Sequence, residues 1–177
     1  MHTEVEMKAW LKTASEKARV KKYLSTHGKF LKKVTKQDTY FARQGAAQFD
    51  FRLREVGKKY IVTQKTRTLR GKMEENAELE FEVSSKAAFF ELAAKLGYEI
   101  FIKKTKIAEI YELPGKITAE IVQVTGLGDF LEIEKLCAAK AEISAARKKI
   151  QMIFAELELQ KNIEAKQYAL LLKKLAR

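Results

Sequence analysis

Apolar and polar residues alternate along most of this chain. Glu4-Val5-Glu6-Met7-Lys8 puts Glu4, Glu6 and Lys8 on one face of a strand and Val5 and Met7 on the other. Ala14 to Thr26 has helical composition and stops at Gly28. Strand patterns follow at Phe30 to Phe41, Phe49 to Glu55 and Lys59 to Arg67, the last two joined by a hairpin signal at Val56-Gly57-Lys58. Glu78 to Val83 alternates strictly. Ser84 and Ser85 then offer N-caps for a helix that runs to Leu96 and stops at Gly97. Glu99 to Leu113, Lys116 to Val124 and Asp129 to Lys135 complete eight strands, with a turn at Pro114-Gly115. Short turns of this kind let a meander close into a barrel. The tail differs: Ile143, Ala146, Ile150, Ile153 and Leu157 recur at helical spacing, and a second helix covers roughly Glu164 to Leu175. The prediction is an α+β domain over 1–177, an eight-stranded antiparallel barrel to about 136 with flanking helices and a helical tail from about 137.

The charges are sorted by strand. One group is acidic: Glu4 and Glu6; Glu78, Glu80 and Glu82; Glu132 and Glu134. The other is basic: Lys8; Arg52 and Arg54; Lys65 and Arg67; Lys104 and Lys106. Each set uses alternate residues and so presents one face. Phe49, Phe51 and Leu53 alternate with the arginines, Leu79, Phe81 and Val83 with the glutamates, and Phe130, Leu131 and Ile133 bracket the last pair. Turned inward, the carboxylates would hold divalent cations and the lysines and arginines would hold phosphate oxygens, each sign lowering the cost of burying the other. Turned outward, the same pattern makes an ordinary barrel with an apolar core. Periodicity leaves both readings open.

The net charge of +12 points to anionic partners. One cysteine, Cys137, excludes an internal disulfide and a multi-cysteine zinc site. With only two histidines, a metal would be held by oxygen, which favours magnesium, manganese or calcium. The chain has no apolar run that spans a bilayer and no signal peptide, so a cytoplasmic protein without membrane partners is expected. Carboxylate pairs on several strands would repel a nucleic-acid backbone, and no nucleic-acid partner is expected.

Several segments, in order, resemble the CYTH family, which contains class IV adenylyl cyclases and thiamine triphosphatases. Glu4-Val5-Glu6-Met7-Lys8 resembles its N-terminal ExExK signature. Gln37-Asp38-Thr39-Tyr40-Phe41 resembles the Q-x-D-x-Y-F stretch of the cyclase-like branch. Arg52-Leu53-Arg54 resembles R-x-R, Thr63-Gln64-Lys65 resembles T-x-K, and Glu78 to Val83 the acidic strand before the middle helix. Gly126 to Glu134 is similar to G-L-G-x-F-x-E-I-E, and Gln167 to Leu171 to the C-terminal S-Y-x-x-L-L. The chain departs in two places. Val122 stands where the family has an acidic residue, with Glu120 on the same strand face, and Lys104-Thr105-Lys106 stands for K-x-R. Lysine keeps the charge but loses the guanidinium fork.

The resemblance implies a tunnel with the charges facing in. It implies Mg²⁺ or Mn²⁺ on Glu4, Glu6, Glu132 and Glu134, with Glu120 a further metal candidate. Glu4, Glu6, Lys8 and Glu134 are the implied catalytic set. Lys8, Arg52, Arg54, Lys65, Arg67, Lys104 and Lys106 would grip a triphosphate, with Glu78, Glu80 and Tyr40 beside it. The leading expectation is conversion of ATP to cyclic AMP and pyrophosphate. The rivals are a triphosphatase on the same charges and a non-catalytic triphosphate binder, which Val122 and Lys106 would favour. Members of the family commonly dimerise, and the amphipathic tail offers a homodimer contact. Trp10, Phe89, Phe90 and Cys137 read as core residues, and His2 and His27 as terminal and helix-end residues.

Overall fold

The computed structural model describes residues 2–176. Its strands are β1 (Thr3–Trp10), β2 (Lys29–Arg43), β3 (Phe51–Val56), β4 (Lys59–Arg70), β5 (Met73–Val83), β6 (Tyr98–Leu113), β7 (Ile117–Val124) and β8 (Gly128–Cys137). They close into one barrel in the order β1-β5-β4-β3-β2-β6-β7-β8. Every neighbouring pair is antiparallel.

Register decides which face is inside. Glu6 lies opposite Glu134 on β8 and Glu74 on β5. Arg54 lies opposite Asp38, and Asp38 opposite Lys104. Directly paired residues share a face, so the charged rows all meet in the lumen. The apolar faces point outward and are covered in part by helices, while Leu79, Phe81 and Ile107 stay exposed. Val5, Met7 and Ala9 of β1 and Leu131 and Ile133 of β8 pack against α1 (Ala14–His27) and α3 (Lys140–Glu156). The helical side of that contact is Val20 and Leu24 from α1 and Ile150, Ile153 and Phe154 from α3, all essentially inaccessible. On the opposite side α2 (Lys86–Lys95) lays Phe89 and Phe90 over Phe41 and Leu53. Thr13 starts α1 with a reciprocal capping box to Glu16, and Ser85 caps α2 through the Ala88 amide. No described helix is long and apolar enough to cross a membrane.

The C-terminal segment crosses one end of the barrel. Ile163 bridges to Ala9, and the Glu164 amide donates to the Lys8 carbonyl at 2.9 Å. Arg67 of β4 donates to the Ala165 carbonyl. In α4 (Tyr168–Leu175), Ala169 packs with Tyr40 and Phe101, and Lys173 donates to the Phe101 carbonyl at 2.9 Å. β1, β4 and the adjacent pair β2 and β6 lie at three separate places around the ring, so a segment that touches them all spans its end.

Three expectations need correction. The second tail helix begins at Tyr168 rather than Glu164, because residues 163–165 are held as extended chain by β1 and Arg67. Residues 68–77 are not a connection but the tip of a long hairpin, which turns at Gly71 with φ 65° and carries Glu74 and Asn76. Phe130 does not share the outer face of Leu131 and Ile133. It has the parity of Glu132 and Glu134 and points into the barrel.

Because α3 seals an otherwise exposed apolar wall, Phe154→Ala should destabilise the protein by about 3–5 kcal/mol. Urea unfolding would read this directly, and a change below about 1 kcal/mol would contradict the covering role.

Candidate functional site

The lumen encloses a cavity of about 390 Å³, within the usual range for small-molecule sites. The charged residues singled out from the sequence line it, except Glu82: Glu4, Glu6, Lys8, Arg52, Arg54 and Lys65 at its walls, and Arg67, Glu78, Glu80, Lys104, Lys106, Glu120, Glu132 and Glu134 with them. Glu82, at the outer end of β5, is exposed and pairs instead with Lys59. Tyr40 lines it too, its ring 4.5 Å from that of Phe49.

One wall is cationic and organised by Asp38. Its side chain is wholly buried and receives Arg54 Nε at 2.8 Å and Nη2 at 3.0 Å, with Lys104 Nζ at 2.9 Å and Arg52 at 3.8 Å. Burial opposes ionisation of Asp38, but Lys104, Arg54 and Arg52 outweigh it and hold the carboxyl well below its ordinary range. The guanidinium fork of Arg54 is therefore committed to Asp38. Arg52, held more loosely, keeps most of its donors for a ligand.

The other wall alternates signs. Lys65 sits 2.5 Å from both Glu4 and Glu78 and 3.8 Å from Glu6. Glu4 is buried, yet Lys65 beside it brings its pKa down to about 2. Lys106 bridges Glu120 at 3.0 Å and Glu132 at 2.6 Å, and Lys36 takes the other oxygen of Glu120 at 2.7 Å. Burial disfavours the Glu132 anion, but Lys106 holds its pKa well below the ordinary value. Glu74 pairs with both Lys8 and Arg67 at 2.9 Å.

Two carboxylates lack this compensation. Glu6 and Glu134 face each other across β1 and β8. Among the described contacts Glu134 has no cation or hydrogen-bond donor, and Glu6 has only the 3.8 Å approach of Lys65. Burial, reinforced by Glu4 and Glu74, raises Glu6 from 4.5 to about 7. Burial, with Glu4, Glu120 and Glu6 around it, raises Glu134 well above its usual value. Like charges directly opposite in a sheet repel, so this pair has the chemistry of a cation site. Among the described residues, no three acidic, histidine or cysteine side chains converge as a ready-made cage. As an all-oxygen pair, Glu6 and Glu134 could hold magnesium or manganese, which take one or two protein carboxylates together with waters and substrate phosphates.

Val122 has a structural explanation. It is fully buried and paired with Ala108 and Phe130, inside an apolar cluster that includes Trp10 and Tyr168. A carboxylate there would be buried among hydrocarbon, and Glu120 supplies the lumen charge two residues earlier. Lys106 serves as a point charge between two carboxylates, a role that needs no fork.

The structure adds site residues that the sequence reading did not assign. Lys36, Asp38, Thr63 and Glu74 each meet an identified site residue, as does Asn76, which donates to Glu4 at 3.2 Å. Strand parity was the available signal for Lys36 and Asp38, which alternate with Tyr40. Gln48, Asp50, Gln167 and Tyr168 also line the cavity, from loops and from the tail.

The pH dependence of stability follows from these shifts. Glu6 binds its proton more tightly folded than unfolded, so between pH 4.5 and about 7 only the folded state keeps it and stability falls as pH rises. Glu134 is shifted in the same direction and adds to the fall. Glu4, Asp38 and Glu132 have lowered values and lose their contribution only below their ordinary carboxylate range. Thermal melts without divalent metal should show the midpoint falling between pH 5 and 7, by on the order of 1 kcal/mol of stability per pH unit. Glu6→Gln should flatten the slope. A midpoint that rises through this window in the wild type would contradict the unpaired-carboxylate assignment.

The comparisons agree with the geometry. The family model described as the CYTH domain matches residues 2–169. A Methanocaldococcus jannaschii protein that bears the provisional name adenylate cyclase is 30% identical over 174 residues, covering 93% of this chain and 95% of that one. A conserved hypothetical protein from Pyrococcus furiosus superposes with a TM-score of 0.76 at 29% identity, covering 94% of this chain and 98% of that one. A protein from Pyrococcus horikoshii gives a TM-score of 0.81 at 25% identity, over 97% of this chain and 99% of that one. With a charged antiparallel tunnel and a family match over nearly its whole length, this chain belongs to the CYTH domain family.

Proposed function

We propose that the protein is a metal-dependent enzyme acting on nucleoside triphosphates, a class IV-type adenylyl cyclase that converts ATP to cyclic AMP and pyrophosphate. The observation that carries this reading is one cavity in which a fan of cations faces a pair of poorly compensated carboxylates. A triphosphate with its metal has the complementary arrangement of charge. Arg52, Lys65, Lys104 and Lys106 would receive phosphate oxygens, with Lys8 and Arg67 at the inner end. Arg54 anchors this wall through Asp38. Glu6 and Glu134, with Glu4 and Glu132 beside them, would hold Mg²⁺ or Mn²⁺, and Glu120 stands next in line. The bound metal would supply Lewis-acid activation of the attacking hydroxyl and neutralise phosphoryl oxygens.

In the reaction the ribose 3′-oxygen bonds to the α-phosphorus and the bond from that phosphorus to the bridging oxygen breaks. The hydroxyl proton passes to water in the solvent-connected cavity, since Glu6 is engaged by the metal. The lumen cations stabilise the departing pyrophosphate. Tyr40, Phe49 and Leu170 form an aromatic and apolar wall beside Arg52 that suits a flat base, which favours a nucleoside over inorganic triphosphate.

The second reading is a triphosphatase, in which water attacks the terminal phosphorus. It is favoured by the same lumen charges, which contact only phosphate and metal and would act without any nucleoside. Incubation with ATP, inorganic triphosphate or thiamine triphosphate, each with Mg²⁺ or Mn²⁺, separates the two. Cyclic AMP with pyrophosphate supports the cyclase, and orthophosphate the hydrolase. Binding without turnover of any of them would make the protein a non-catalytic binder. Glu134→Gln should abolish metal-dependent turnover, a loss of at least about 10² in kcat by analogy with other charge-stabilising contacts. Near-normal activity in that variant would rule out its assigned role.

A further inference from the structure

Tyr168 is the first residue of α4, and the crossing C-terminal segment delivers it into the lumen. Its ring packs against Phe130 at 4.7 Å, and Phe130 against Trp10 at 4.1 Å. The ammonium groups of Lys8 and Lys104 lie 5.5 and 5.2 Å from its ring centroid. The residue is 6% exposed, and among the described residues its buried hydroxyl has no hydrogen-bond partner. Glu132 is near enough to raise the phenol pKa further once burial has done so, but the two do not meet hydrogen-bond geometry. The hydroxyl therefore stays protonated. Leaving a buried hydroxyl unsatisfied is destabilising, and such groups are rare enough to call for an explanation.

The explanation lies in the position. The ring that carries this orphan donor has Lys8 and Lys104 beside it, two cations of the phosphate-binding set, and the residue lines the same cavity. We propose that the Tyr168 hydroxyl donates a hydrogen bond to a non-bridging oxygen of the bound triphosphate, making the C-terminal segment part of the substrate site. This rests on the triphosphate reading given above. It assigns Tyr168 as a substrate-contacting residue, whereas a purely structural tyrosine would use its ring alone or bond to Glu132.

Tyr168→Phe separates these roles because it keeps the ring and its stacking. Titration calorimetry with inorganic triphosphate and Mg²⁺, and thermal melts with and without that ligand, read the outcome. The variant should bind about tenfold or more weakly than the wild type, as expected for a hydrogen bond to a charged group. Its ligand-free midpoint should stay level or rise, since an unsatisfied group has been removed, and its ligand-induced shift should shrink. Unchanged affinity would overturn the proposal. So would a fall in the ligand-free midpoint with the ligand-induced shift intact, which would mark a structural bond to Glu132. Failure of the wild type to bind triphosphate at all would instead overturn the site reading on which the proposal depends.

Discussion

Burying charge is what this fold has to solve, and the sheet register is how it does so. An ion taken out of water without a partner costs several kcal/mol even after relaxation. Here carboxylates and cations line one lumen in nearly equal number. Most are neutralised by residues from other strands: Lys106 by β7 and β8, Lys65 by β1 and β5, Asp38 by β3 and β6. A slip of one residue in any strand would send its charges outward and its valines and leucines inward. The fold and the site are thus one constraint.

Two consequences follow. Since the lumen is close to neutral, the +12 net charge resides on the exterior and says little about the ligand. Neutrality is also local, and it fails at Glu6 and Glu134. A site that binds an anion with a cation needs both cations left partly free and carboxylates left partly uncompensated. Arg52 supplies the first and this pair the second. Much of the outward apolar surface is covered by α1, α2 and α3, so these three helices support the site without lining it, and of the helices only α4 enters it.

Much of this was legible in the chain. Strict alternation located the strands to within a few residues and put each charged set on one face, because the period of a strand is two. It could not say which face was inside, since both readings bury an apolar side. The ordered resemblance to the CYTH family decided that, and the barrel bears it out. What escaped detection depended on pairing across the sheet. Glu74 and Asn76 lie in a stretch whose alternation is blurred by Glu75 and Ala77, and they belong to the lumen only because β5 continues past Glu78 beside β1. Asp38 stood in a recognised motif, but its role as anchor of Arg54 and Lys104 depends on β2 lying between β3 and β6. Tyr168 required knowing that the tail crosses the barrel end. Val122 looked like a lost charge and is instead part of an apolar cluster with Phe130.

The most direct test of the central claim is a crystal structure with Mn²⁺ and an ATP analogue that resists both cyclisation and hydrolysis. The account predicts an anomalous peak in the lumen beside Glu6 and Glu134, with phosphate oxygens against Arg52, Lys65 and Lys106. A ligand bound only to the basic exterior, with the lumen ion pairs undisturbed at saturating concentration, would contradict it.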